Sequence, residues 1–195
     1  RRVLFRSKEQ YLATSDLFDR WRQDGVLRQD AEPSYYVMRH SFPMGGKNMV
    51  RVGLIASVGL EDYETRQVLP HEFTQAPAIQ DRVWLMESLS ANISPIMSIY
   101  RDAEGELDRM YQQVMQGEPE FDSTDGSGSA TALWRISDPG VQSQVSEFFS
   151  SRPIYLADGH HRYEAARQYQ LERHAEDPTP KAAKPTQHFG MMPLN

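Results

Sequence analysis

IYLADGHHRYEAA, Ile154 to Ala166, sets a short apolar run against a helix-forming run, with Asp158-Gly159 between them. That pattern reads as a strand, a tight turn and a helix. Such a turn leaves free backbone amides at the helix start, and these amides with the helix dipole form an anion site. Gly159 lets the backbone approach a ligand with no Cβ in the way. Arg162, in the first turn, suits bidentate contact with a phosphate. His160 and His161 can donate to phosphate oxygens or transfer a proton near neutral pH. Asp158 can cap the helix, orient a histidine, hold a magnesium ion or take a hydroxyl proton. The plainer alternative is a capped turn, with Asp158 as N-cap and the two histidines hydrogen-bonded inside it. The five residues DGHHR after an apolar strand favour the phosphate site over that alternative.

Working outward, Thr131 to Ile136 and Arg152 to Ala157 read as strands, with a helix from Val141 to Phe149 between them opened by Asp138-Pro139. Phe121 to Ala130, FDSTDGSGSA, is polar and rich in serine and glycine, and reads as a loop. Ile79, Val83, Met86 and Leu89 recur at helical spacing between Pro77 and Asn92. Pro95 ends that helix and opens a strand from Ile96 to Tyr100, and Glu106 to Met115 forms a further amphipathic helix. Tyr35 to Met38 and Val50 to Val58 form a β-hairpin about Pro43-Met44-Gly45-Gly46. Ser15 to Gly25 ends a helix that carries Leu17, Phe18 and Trp21 on one face. Trp84, Met86, Leu89 and Trp134 are assigned to the core. The helix after the DGHHR loop runs to about Glu176, Asp177 to Gln187 reads as a loop, and HFGMM, His188 to Met192, as one more strand. Strands alternating with helices imply an α/β (α+β) fold, a mixed β-sheet with packed helices.

Arg1 to Ser7, RRVLFRS, reads as the in-frame translation of a sequencing adapter. Residues 1–7 are therefore set aside as a non-native tail, and residues 8–195 are read as a single partial domain of a longer protein, truncated at both ends. With 39% hydrophobic and 10% aromatic residues, this length can bury a real core. The absence of cysteine excludes disulfides, cysteine nucleophiles and thiolate metal sites, and suits a cytoplasmic location. A formal net charge of −6 argues against an extended nucleic-acid footprint, yet leaves room for a small anionic ligand. No apolar run reaches the length of a membrane span.

HEFT, His71 to Thr74, is the second chemical candidate. A turn with a histidine, a carboxylate and a hydroxyl can present a base or contact a substrate. Glu72 and Thr74 serve equally well as caps for the next helix, so the residues leave both readings open. Zinc chelation by His160 and His161 is disfavoured, because adjacent helical residues diverge by roughly 100°. His71, Glu72 and His174 could join such a site only if the fold brought them near.

Three separated strings resemble the domain of unknown function 1015 family. They are YLADGHHRYEAA; GLIASVGLEDYETRQVLPHEFT, Gly53 to Thr74; and DRVWLMESLSANISPIMSIYRD, Asp81 to Asp102. They stand in the family's order, and the likeness runs from about Asp16 to Leu194. The family's loop in turn resembles the phosphate loop of the ParB and sulfiredoxin-like fold, which includes ADP-dependent free-serine kinases, CTP-binding ParB domains and ATP-using sulfiredoxins. The resemblance implies that Asp158, Gly159, His160, His161 and Arg162 hold nucleotide phosphates, with Asp158 or a histidine acting in phosphoryl transfer. It further implies Mg2+, held by Asp158, and ADP or ATP as cofactors, with a small hydroxyl compound such as L-serine as substrate. Kinases of this fold are thought to use a glutamate from early in the chain, which no motif here matches. Glu72 is the substitute, with His71 and Thr74 beside the substrate. The competing expectation is a nucleotide-binding or regulatory module of ParB type without turnover.

Overall fold

In the computed structural model, residues 11–176 are described in full and residues 186–194 by their backbone. The fold is mixed α/β. The elements in chain order are α1 (Leu12–Gln23), β1 (Tyr35–Met44), β2 (Lys47–Gly59), β3 (Val68–Leu69), α2 (Ala76–Leu89), β4 (Ile96–Arg101) and α3 (Glu106–Val114). They continue with β5 (Phe121–Thr124), β6 (Ala130–Ile136), α4 (Pro139–Ser150), β7 (Ile154–Asp158), α5 (His160–Glu176) and β8 (Thr186–Leu194). A 3-10 turn, Tyr63–Thr65, lies between β2 and β3.

The described strands form one eight-stranded sheet in the order β3-β7-β4-β8-β2-β1-β6-β5. The hairpin expected about residues 43–46 is present, with the chain reversing at Gly45 and Gly46, both at positive φ. Its strands are longer than the hydrophobic runs suggest, because their far ends are exposed and carry polar residues. β8 joins the two halves of the sheet, antiparallel to β2 and parallel to β4. The strand expected from His188 to Met192 is therefore an interior member of the sheet. The loop expected over Asp177 to Gln187 falls, up to residue 185, outside the described residues.

One stretch read as a loop is partly a strand. Phe121–Thr124 pairs with β6 at the sheet edge, and the loop shrinks to the turn held by Asp125, whose carboxylate accepts from the Ser127 and Ser129 amides. Polar residues disguise this strand because it is exposed along its whole length. α2 begins with Pro77 in its first turn, as expected, and ends at Leu89, where Ser90 takes a left-handed conformation. Of the four residues assigned to the core, Trp134 and Leu89 are buried, whereas Trp84 and Met86 are only half-buried. The apolar face of α1 is also open, with Leu17 and Trp21 exposed, although α1 packs along α2.

The core that supports β7 is aromatic. Tyr100 of β4 meets Phe148 and Phe149 of α4 edge to face, and its hydroxyl lies 2.9 Å from that of Tyr111 of α3. Both phenols are buried, and burial raises the pKa of each. Asp102 caps α3 by accepting the amides of Glu106, Leu107 and Asp108. α5 packs against α2 and lies on β4 and β8. The start of α5 is thereby held over the end of β7, where the two sequence motifs meet. Among the described residues, no helix is long and apolar enough to cross a membrane.

Candidate functional site

Asp158 is the last residue of β7, and Gly159 turns the chain into α5 with φ +94°. That conformation belongs to glycine, because a Cβ is strained there. A Cβ on Gly159 would also stand 3.0 Å from the Arg162 guanidinium. The first helical hydrogen bond runs from the Tyr163 amide to the Gly159 carbonyl at 3.0 Å. The amides of His160, His161 and Arg162 precede it and have no acceptor within the helix.

The side chains of this loop turn largely inward. Arg162 binds Asp158 Oδ2 at 2.6 Å, reaches Ser94 Oγ at 2.8 Å and donates to the Pro95 carbonyl. Among the described residues the Asp158 carboxylate accepts from the arginine one turn on and from no helix amide. It remains 72% exposed. Ser94, which the sequence did not single out, and Pro95, read there only as a helix end, fix this arginine. They lie inside the Asn-x-Ser-Pro-Ile string that matched the family, which was the available signal.

His160 and His161 hold the HEFT turn. His160 is 1% exposed, and its Nε2 accepts the His71 amide at 3.3 Å. His161 Nε2 accepts the Gln75 amide at 3.1 Å. Both acceptor roles call for an unprotonated Nε2. Burial lowers the His160 pKa, with Glu72 pulling the other way and His71 adding to the lowering. His71 in turn places its Nδ1 2.7 Å from the Leu156 carbonyl and sets its ring edge-on to His160, with centroids 4.5 Å apart. The segment from His71 to Gln75 is thus docked on β7 and on the first turn of α5.

Glu72 stands at this junction with its side chain 51% exposed and Oε1 3.1 Å from His160 Nδ1. The contact is short, but Nδ1 makes no hydrogen bond among the described residues, since the geometry is off the donor line. Donor atoms of His71, Glu72 and His160 lie within 4.8 Å of one another. The fold thus brings His71 and Glu72 to His160; His174 and Asp158 are not part of the group. Thr74 is half-buried on the same segment, and Phe73 beside Glu72 is 99% exposed.

A second set of contacts ties the preceding turn to α5. Tyr163 is buried, donates to the Glu61 carbonyl and accepts the Glu61 amide, both at 2.9 Å. Arg167 binds Asp62 at 2.6 Å and covers the ring of Tyr63, which stacks on Tyr163. Tyr163 is thus a packing residue of α5. Asp62, Tyr63 and Arg167 were missed, because their partners lie about a hundred residues away along the chain.

Searches of curated proteins and of solved structures gave no match. The family described as "Protein of unknown function (DUF1015)" matches residues 5–195, a span that contains both halves of the junction, and the chain belongs to that family.

Proposed function

We propose that the chain is a kinase-like phosphotransferase of the ParB and sulfiredoxin-like type. It moves a phosphoryl group from a nucleotide, ADP or ATP, to a small hydroxyl compound such as L-serine. One observation carries this reading: an exposed carboxylate, Glu72, is docked beside a glycine-opened helix start whose first amides have no acceptor within the helix. Phosphoryl transfer asks chiefly for positioning and for neutralised charge. The amides of residues 160–162 and the bare backbone of Gly159 would hold the phosphates, with Arg162 and the histidines around them. The substrate oxygen would attack the terminal phosphorus, the bond to the remaining nucleotide would break, and Glu72 would take the hydroxyl proton. His71 and Thr74 share its segment and would line the acceptor side.

Magnesium prefers oxygen donors and keeps several waters. Asp158 fits that preference, being exposed with Oδ1 free of partners among the described residues. The ion, when bound there with the phosphates, would supply positive charge. The group of two imidazoles and one carboxylate nearby does not suit it.

A second reading, a non-catalytic nucleotide-binding or regulatory module, draws on the engaged state of the loop. His160, His161 and Arg162 all hold other parts of the protein. Such a loop suits a fixed cradle as well as a catalytic one.

Phosphorus NMR with magnesium, ADP or ATP, and L-serine tests the proposal. A new phosphomonoester signal, absent in Arg162→Ala and reduced in Glu72→Gln with nucleotide binding retained, would establish the kinase. Nucleotide signals that shift without product would establish the module instead, and unchanged signals would remove both.

A further inference from the structure

We propose that His71, Glu72 and His160 form a binding site for a divalent transition metal of the zinc class. The inference does not depend on phosphoryl transfer, since the three donors stand together whatever the chain acts on. Two imidazole nitrogens and one carboxylate oxygen make a donor set that suits zinc and its neighbours and is poor for magnesium or calcium.

The geometry is close to what such an ion needs. Ligands about 2.0–2.1 Å from a tetrahedral zinc stand roughly 3.3 Å from one another. Glu72 Oε1 and His160 Nδ1 are 3.1 Å apart, and a donor of His71 completes a group within 4.8 Å. The His71 ring is held by the backbone. Its Nδ1 donates to the Leu156 carbonyl at 2.7 Å, which leaves the lone pair on Nε2 and fixes the ring, the role a carbonyl plays behind many metal-bound histidines. His160 supplies the independent observation: its ring is buried, yet Nδ1 has no hydrogen bond among the described residues although a carboxylate oxygen stands 3.1 Å away. Glu72 and His71 are exposed, so an ion can enter from solvent and keep a water.

Binding has a structural consequence. With the ion on Nδ1, the imidazole proton of His160 sits on Nε2, which now accepts the His71 amide at 3.3 Å. Two donors cannot share that contact, so the His71 amide loses its acceptor, while the ion itself ties His71 and Glu72 to α5. The ion also occupies the Glu72 carboxylate. A bound transition metal and a proton-accepting Glu72 therefore exclude each other, and zinc should suppress any transfer activity that uses Glu72.

The test uses the untagged chain, freed of metal by chelation and titrated with zinc by calorimetry and with cobalt by visible absorption, without nucleotide. One ion per chain is expected, with affinity lower by at least about tenfold in His71→Ala and in Glu72→Gln. His40→Ala and His174→Ala should bind as the parent does. Circular dichroism confirms that each variant is folded. Faster amide exchange at His71 on adding zinc is expected as well. No binding, or binding unchanged in both His71→Ala and Glu72→Gln, would overturn the site. Neither result bears on the phosphorus NMR experiment, which contains no transition metal.

Discussion

His161 Nε2 accepts the backbone N–H of Gln75 at 3.1 Å, so the second histidine of the DGHHR loop is tied to the end of the HEFT turn 86 residues earlier. The bond is exposed, and a single exposed hydrogen bond contributes about 1 kcal/mol or less. Its weight lies in order: Gln75 is the N-cap of α2 and has no side-chain cap of its own. We expect His161→Ala to lower global stability by no more than about 1 kcal/mol while the Gln75 amide exchanges markedly faster. Hydrogen exchange by NMR reads this directly, and unchanged protection at Gln75 would break the proposed link.

The strand, turn and helix around Gly159 were legible because each has a local signal: an apolar run, an Asp-Gly pair and a helical run. The strand Phe121–Thr124 was not, since an exposed edge strand carries no apolar alternation to read. The candidate site was legible as two motifs and illegible as one junction. Nothing local in His160 says that its ring is buried, or that it accepts an amide from residue 71. The same holds for Arg162, whose chemistry suggests a free phosphate ligand. Its partners Ser94 and Pro95 lie 68 and 67 residues earlier and become neighbours only when β4 pairs with β7.

Gly159 should be the least replaceable residue of the loop. A β-carbon at φ +94° is strained, and it would press on the Arg162 guanidinium, which can yield. The backbone term therefore dominates, and Gly159→Ala should cost about 1–3 kcal/mol. Gly126, with open space around it and no positive φ, is the control, and Gly126→Ala should be near neutral. Urea unfolding of the two variants checks the contrast. Equal stability would mean that the turn relaxes to accept a side chain.

The Tyr100 and Tyr111 hydroxyls are each other's partners at 2.9 Å in the core. Removing one leaves the other buried without a hydrogen bond, a loss of about 1–3 kcal/mol. Removing both leaves no orphan. We therefore expect Tyr100→Phe and Tyr111→Phe each to destabilise, and the double variant to lose clearly less than the sum. A double-mutant cycle by chemical unfolding measures that coupling; strict additivity would show that the pair does not interact.

Alkaline pH should unfold the protein through its tyrosines. Burial is the first cause of the raised pKa at Tyr63, Tyr100, Tyr111 and Tyr163, and it pushes Tyr36 up to about 12 with help from Asp30. An unfolded tyrosine titrates near 10. The folded values lie above the unfolded one, so the unfolded chain releases its protons first as pH rises. The stabilisation from these neutral phenols is complete below about pH 10 and is lost as pH climbs toward the folded values. Urea midpoints should therefore fall between pH 10 and pH 12, and ionisation of these five phenols should coincide with loss of structure by circular dichroism. These five tyrosines ionising near pH 10 with the fold intact would contradict their burial.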